Sequence, residues 1–374
     1  MIINSLLDTD YYKYGMSFAV IETCKRMGID IPYVQYKFKC RNDVDLIPLK
    51  SQIEKEIKLW QQLKFTPEDY KYISQTFPDR FCHYLSNMDL NDINISVYEK
   101  EKELHIDVEG KWFPSIFAEV PILSIVNELY FRSIKNKFNQ TIAKDNLKQF
   151  LKEVPEFTDM GTRRRYSKKW HEYCLKEAIK SRKLIGTSNM MFARDLNIPC
   201  FGSMAHEWLM AFQVLSKDLR NFQRDALDHW LLTFRGKNST ALSDCIGIKS
   251  FMEDWDEFYT KNFNCIRHDS GDPFKFIDTV IKKIYGVNLL FSDGLNPKKC
   301  NEIKNYCRNE VCGIRPSFGI GTAFTNNVGL EPLQIVMKLN KVNGEPVCKI
   351  SDSNGKIMCE DKNFVHKLKQ TFGV

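Results

Sequence analysis

Apolar and polar positions alternate over residues 33–39 (YVQYKFK), the period of a half-buried strand. Between residues 50 and 63 the period lengthens, and Ile53, Ile57 and Trp60 recur on one helical face. Thr66-Pro67-Glu68-Asp69 then has the form of an N-cap followed by proline at the first helical position. INISVYEK and ELHIDVEG predict a strand pair near residues 93–110. From about residue 155 the pattern changes. Seven short extended segments each run into a polar or glycine-bearing cluster: 157–165, 183–190, 200–208, 239–245, 264–273, 288–296 and 315–322. Most are followed by a helical stretch, one of them from His206 through Leu215, so parallel strands joined by crossovers are expected. Such folds gather ligand-binding groups at the strands' carboxyl ends, so seven clusters in that position predict a barrel with one mouth. The last 45 residues return to alternation, with tight turns expected at Asn343-Gly344 and Asn354-Gly355. This β tail is expected to pack on the N-terminal third.

The chain has 374 residues, 43% of them apolar and 13% aromatic, enough for two to three domains with a buried core. Lys and Arg outnumber Asp and Glu by 54 to 47, a net +7. That balance excludes a chain-wide disordered tail and a strongly acidic solvating protein, and favours anionic partners, phosphates or nucleic acid. Twelve cysteines are scattered with no C-x-x-C spacing, which fits reduced thiols in a cytosolic protein. The start, MIINSLLDTDYYK, lacks the basic and apolar runs of a signal peptide. The most apolar stretch, 113–131, is broken by Glu119, Pro121, Asn127 and Glu128, so no bilayer span is expected. A soluble, cytoplasmic protein follows.

Five clusters and one histidine carry candidate chemistry. Gly161-Thr162-Arg163-Arg164-Arg165 follows a strand; guanidinium forks bind carboxylate and phosphate oxygens in pairs, each charge-assisted bond contributing about 1.5–3 kcal/mol. The bland alternative is a solvated basic helix start. Arg267-His268-Asp269-Ser270-Gly271-Asp272-Pro273 packs a cation, two carboxylates and a glycine together, suited to ribose hydroxyls or to Mg²⁺ held through water; otherwise it is a surface turn. Leu242-Ser243-Asp244 and Phe291-Ser292-Asp293-Gly294 repeat the form of an apolar strand ending in an aspartate. Ser317-Phe318-Gly319-Ile320-Gly321-Thr322 lets backbone N–H groups approach phosphate, yet it is neither a dinucleotide fingerprint nor a P-loop. A lone histidine such as His206 is more often structural, but at a helix N-terminus in the mouth of a barrel it is a candidate to carry a phosphate.

Together these motifs resemble the bacterial type of nicotinate phosphoribosyltransferase: LLDTDYYK, EVP at 119–121, D-x-GTRRR, GTSN, G-x-x-AHEW, LSDCI, RHDSGDP, FSD, SFGIGT and SDSNGK, in that order. The resemblance implies an α/β fold: an incomplete, irregular α/β barrel (136–332) with a discontinuous accessory α/β domain (1–135 plus 333–374). It implies a reaction in which nicotinate and phosphoribosyl pyrophosphate give nicotinate mononucleotide and pyrophosphate, with Mg²⁺, coupled to ATP hydrolysis, in a homodimer. By position, His206 would be phosphorylated by ATP, with Asp244 and Asp269 also catalytic. Tyr12 would stack on the pyridine ring. Arg163, Ser203, Arg267, Ser270 and Gly271 would surround the substrates, while Gly294, Gly319, Gly321 and Thr322 would cradle phosphate. Asp269 and Asp293 would hold Mg²⁺, and the neutral Asn189 would favour the acid over the amide. The rivals are nicotinamide phosphoribosyltransferase, disfavoured by Asn189, and a basic nucleic-acid-binding protein, which would not need aspartates at three strand ends.

Overall fold

The computed structural model describes every residue except 285, 311–313 and 354–356. Three strands open the chain: β1 (Tyr33–Cys40), β2 (Asn94–Lys100) and β3 (Glu103–Lys111). Six short ones follow, β4 (Phe157–Asp159), β5 (Leu184–Thr187), β6 (Thr240–Leu242), β7 (Cys265–His268), β8 (Asn288–Phe291) and β9 (Pro316–Ile320). The tail adds β10 (Ile335–Val342), β11 (Glu345–Pro346), β12 (Lys349–Ile350) and β13 (Ile357–Met358). Strands β4 to β9 form one parallel sheet, ordered β5-β4-β9-β8-β7-β6. The remaining long strands form an antiparallel sheet, ordered β11-β10-β1-β3-β2. The fold is thus mixed α/β, with one parallel sheet, one five-stranded antiparallel sheet and a small antiparallel pair of β12 and β13.

The tail strand β10 pairs antiparallel with β1, with Phe38 opposite Met337, so the end of the chain does pack on its beginning. Asn343 and Gly344 have consecutive positive φ values of 51° and 85°, the backbone of a two-residue hairpin turn joining β10 to β11. The second expected turn, Asn354-Gly355, lies outside the described residues. The helix Lys50–Gln61 buries Ile53, Ile57 and Trp60, as their spacing predicts. Thr66 caps the helix Pro67–Ile73 in a reciprocal box with Asp69.

Three features depart from the pattern. Of the seven expected strands, the segment at 200–208 keeps only a single parallel bridge, Cys200 to Thr187. The cause lies far away in sequence: a Cβ at Gly202 would stand 2.9 Å from the Tyr12 backbone nitrogen, so here the chain leaves the sheet to run against another backbone. The tail is not all β, since Lys362–Phe372 is a helix capped by Asp361, with Leu368 and Phe372 buried. The helix Tyr11–Met27 carries no amphipathic stripe because it is buried on nearly every side. Both Tyr12 and Lys13 are among its buried residues. One continuous apolar core runs beneath both sheets.

Candidate functional site

The carboxyl ends of the parallel strands open into a cavity of about 780 Å³. Lining it are Tyr12, Arg163, His206, Arg267, Asp269, Ser270, Asp293, Gly294, Gly319, Gly321 and Thr322. Residues separated by three hundred positions in sequence therefore share one wall. Gly294 sits at φ +56°, a left-handed turn after β8 that a larger residue would strain.

Four residues expected to touch substrate lie behind the wall instead. Asn189 is fully buried: its amide donates to Asp8 Oδ1 (2.9 Å) and Thr162 Oγ1 (3.3 Å), and its oxygen caps the helix Met190–Leu196. With every polar atom engaged, it has none left for a ligand. Ser203 is buried and accepts from Arg267 Nη1 at 3.0 Å. Gly271, at φ +83°, packs against Asp352, where a Cβ would meet that side chain at 2.8 Å. Asp244 is buried beneath His206. These groups position the wall rather than form it.

The triple arginine divides its labour. Arg163 reaches the cavity, its guanidinium 5.9 Å from the Tyr12 ring centre. Arg164 Nε donates to the Ile335 carbonyl, tying the parallel sheet to β10. Arg165 is completely buried and grips Asp8 with both nitrogens, at 2.7 and 2.8 Å. Burial pushes Asp8 up, but Arg165 and Lys168 outweigh it and hold the carboxyl well below its usual range.

Tyr12 donates its hydroxyl to Glu119 Oε2 at 2.8 Å, fixing the ring at the cavity edge. Beneath it, the fully buried Lys13 bridges Glu119 (2.6 Å) and Glu207 (2.9 Å). Two carboxyls share one ammonium, and their fates separate. Burial raises both, yet Lys13 and Arg163 bring Glu119 down to about 2, whereas Glu207 is left raised. Lys13 thus pairs with both carboxyls, and Glu119, which also meets Arg163, is held the more firmly as an anion.

Around β7, Arg267 distributes its fork: Nε donates to Ser292 Oγ (2.8 Å), Nη1 to Ser203 and Nη2 to Asp269 Oδ1 (2.9 Å). Burial raises the Asp269 carboxyl, but Arg267 and His206 bring it down to about 2, so it is an anion at neutral pH. His268, beside it in sequence, turns into the core between Phe276 and Phe291, where burial lowers its pKa. Structural histidine is the right description for that residue.

His206 opens the helix His206–Leu215. Its Nε2 lies 2.7 Å from Asp244 Oδ1 and 2.7 Å from Lys349 Nζ, while Nδ1 faces Asp269 Oδ2 at 3.8 Å. Lys349 also donates to Asp244 Oδ2 at 2.6 Å, and Ser270 Oγ donates to the same oxygen at 2.5 Å. Burial would raise Asp244, but His206 and Lys349 hold it well below its ordinary value. His206, Asp244 and Asp269 converge as three metal ligands would, yet the Lys349 ammonium already supplies the cation there.

Lys13, Glu119, Glu207 and Lys349 thus belong to the site, although the sequence reading assigns no role to any of them. Glu119, Glu207 and Lys13 sit inside the quoted strings EVP, AHEW and DTDYYK, and only the contacts among those strings identify them. Lys349, in the tail strand β12, has no such signal.

Comparison with known proteins agrees with this arrangement. Residues 156–374 match the nicotinate phosphoribosyltransferase (NAPRTase) family, and residues 7–127 match its N-terminal domain. Curated nicotinate phosphoribosyltransferases of Burkholderia mallei and Chromobacterium violaceum are 38% and 37% identical, covering the whole of this chain and 98% of each relative. A nicotinate phosphoribosyltransferase structure from Vibrio cholerae superposes with a TM-score of 0.92 at 30% identity, covering all of this chain and 95% of that one. One from Saccharomyces cerevisiae, described as putative, gives 0.88 at 30% identity, covering all of this chain and 98% of that one. On a match spanning both sheets and the cavity between them, the chain belongs to the nicotinate phosphoribosyltransferase family.

Proposed function

We propose that this chain transfers the phosphoribosyl group of phosphoribosyl pyrophosphate to nicotinate, releasing pyrophosphate and nicotinate mononucleotide, the first step of making NAD from nicotinate. The observation that carries the reading is the convergence of Arg163, Arg267, Asp269 and Asp293 with His206 on one cavity. Breaking a glycosidic bond through an oxocarbenium-like state asks the protein to position two anions and neutralise the departing pyrophosphate, not to supply a strong nucleophile. Tyr12 offers a face for the pyridine ring, and Arg163 a cation for its carboxylate.

Mg²⁺ suits this donor set: Asp269 is ionised, lines the cavity with Asp293, and offers hard oxygens. Those two residues would hold the ion through water, where it would neutralise pyrophosphate charge. ATP would phosphorylate His206, a ring nitrogen forming the N–P bond as the γ-phosphorus parts from ADP, which leaves with the electron pair. Water would later attack phosphorus, and as the N–P bond breaks its bonding pair would return to the ring nitrogen, releasing inorganic phosphate. Asp244 steadies the ring throughout.

The parallel sheet reads as an incomplete barrel. The Cys200 bridge adds a seventh segment beside β5, and the His206–Asp244 and Arg267–Ser203 contacts span from that segment to β6 and β7. Residues 136–332 form this unit, and 1–135 with 333–374 the accessory domain, joined through β1 and β10. A homodimer in the cytoplasm completes the reading; among the described residues no helix is long and apolar enough to cross a membrane.

The test is to mix protein, Mg²⁺ and phosphoribosyl pyrophosphate with nicotinate or nicotinamide, with and without ATP. Nicotinate mononucleotide is the expected product, in greater yield with ATP. Nicotinamide mononucleotide as the main product would favour the rival enzyme. Absence of both products would refute the assignment.

A further inference from the structure

Among the described residues, Lys349 is the one cation in contact with both His206 and Asp244, and the chain that follows it does not leave the site. Ile350 donates its backbone N–H to the Cys245 carbonyl (2.8 Å), next to Asp244. Asp352 N–H donates to Ser270 Oγ (3.2 Å), and the Gly271 N–H donates to Ser353 Oγ (3.2 Å). The Asp352 carboxylate accepts from the Ile248 N–H with both oxygens at 3.0 Å, fastening the segment to the next helix. Gly271 has no room for a Cβ because Asp352 lies against it. Residues 349–353 therefore form a strap with one end on the histidine and the other on the Asp269–Gly271 loop.

We propose that Lys349 and this strap carry the effect of a phosphoryl group on His206 to the Asp269–Gly271 loop, and so couple ATP to the binding of phosphoribosyl pyrophosphate. The proposal rests on the reading of His206 as the phosphorylated residue. At rest the ring nitrogen faces a carboxylate on one side and an ammonium on the other, each at 2.7 Å. A single nitrogen can hold one hydrogen bond of either kind, so the triad has two competing arrangements. In one, Nε2–H donates to Asp244, and Lys349 pairs with Asp244 Oδ2. In the other, Lys349 donates to the ring.

A phosphoryl dianion on the ring brings a stronger partner within reach of the ammonium, and charge-assisted bonds are about twice as strong as neutral ones. Drawing Lys349 away from Asp244 Oδ2 changes what Ser270 Oγ shares that oxygen with, and it pulls the strap residues bonded to Ser270 and Gly271. Lys349 is thus a positioning residue, acting through His206 at one end and Ser270 at the other. It supplies a bistable contact that two sites bias, the physical requirement for coupling between them.

The experiment uses the full chain as wild type, Lys349→Met, Lys349→Arg and Ser353→Ala, each first checked for native circular dichroism. Two quantities are read: phosphoenzyme formed from γ-labelled ATP, and KM for phosphoribosyl pyrophosphate with and without ATP. In the wild type, ATP should lower that KM by a factor in the ordinary range of coupling, about 5- to 150-fold. Lys349→Met should still form phosphoenzyme but lose most of the drop in KM, while Lys349→Arg, which keeps the cation, recovers part of it. Ser353→Ala touches neither His206 nor Asp244, so it should weaken the ATP effect with phosphoenzyme unchanged. If Lys349→Met fails to fold, Ser353→Ala alone decides. A full ATP-dependent drop in KM in both variants overturns the strap while leaving the transferase reading intact. Absence of phosphoenzyme in the wild type overturns the histidine reading and the strap with it.

Discussion

Replacing Asn189 with aspartate separates two explanations of why an amide stands there. Read from sequence, it is a selector, a neutral group that spares nicotinate's carboxylate from repulsion. In the structure its amide is buried and donates to Asp8, itself an anion held by Arg165. Once ionised, the carboxyl of Asn189→Asp can no longer donate to that charged group, a loss of about 1.5–3 kcal/mol. The introduced carboxyl, once ionised, would also stand beside the Asp8 carboxylate; two like charges about 4 Å apart repel by about 4 kcal/mol at an effective dielectric of 20. It would escape part of this cost by staying protonated, so its folded pKa lies above its unfolded one. For such a carboxyl the penalty is absent below the unfolded value near 4 and grows as pH rises towards the folded value, by about 1.4 kcal/mol per pH unit. The variant is therefore expected to be close to wild type in urea unfolding at pH 4.5 and weaker by about 3–5 kcal/mol at pH 7.5, the cost of an uncompensated buried charge. Turnover of nicotinate and of any accepted nicotinamide should fall together. Unchanged stability at pH 7.5, with a loss confined to nicotinate, would refute this account and return Asn189 to the substrate.

The buried Lys13 offers a second contrast. Glu119→Gln should destabilise the fold by about 2–4 kcal/mol at neutral pH, and by more than Glu207→Gln, because Glu119 meets Arg163 and Tyr12 besides Lys13; equal losses in thermal melts would refute the division. The Glu119 contribution, from a carboxyl lowered to about 2, is complete above its unfolded value near 4.3 and is lost as pH falls towards 2. Acid unfolding of Glu119→Gln should show a correspondingly flatter pH dependence below 4. Arg165→Met leaves Asp8 buried without its fork and should cost about 3–5 kcal/mol, read by urea unfolding, although Arg165 never meets substrate. Asp244→Asn keeps the shape under His206 but removes its charge; phosphoenzyme formation should drop about 10-fold or more, and urea stability should fall too, because the buried Lys349 loses its anion.

What the sequence made legible follows from which physical signals are local. Alternation located β1 and the β2–β3 pair, and strand-then-polar clusters located six parallel strands, because period and punctuation are written within ten residues. The seventh segment failed for a non-local reason: the backbone pressed against Gly202 comes from Tyr12, 190 positions earlier. The helix Tyr11–Met27 was silent because burial on all sides erases the stripe that marks a helix. At the site, Arg163, Arg267 and Asp269 were legible because each lies in a cluster at a strand end, and His206 because it opens a helix after such a cluster. Asn189 lies in such a cluster too and points away, which shows that the position of a cluster does not fix the direction of each side chain in it. Lys13 and Lys349 mark the opposite limit. A lysine does not name its partner, whether it lies inside a quoted string as Lys13 does or outside one as Lys349 does, and its part in a site is settled only by the carboxylates that meet it: Glu119 and Glu207 for one, Asp244 for the other. A lysine with less than a tenth of its side chain exposed is costly to bury unless anions surround it, so finding both in that state already implies that each cation is held in place for a purpose beyond solubility. For Lys13 that purpose is the anchoring of Tyr12 through Glu119; for Lys349 it is His206, and the partner it takes there should change whenever the charge on that ring does.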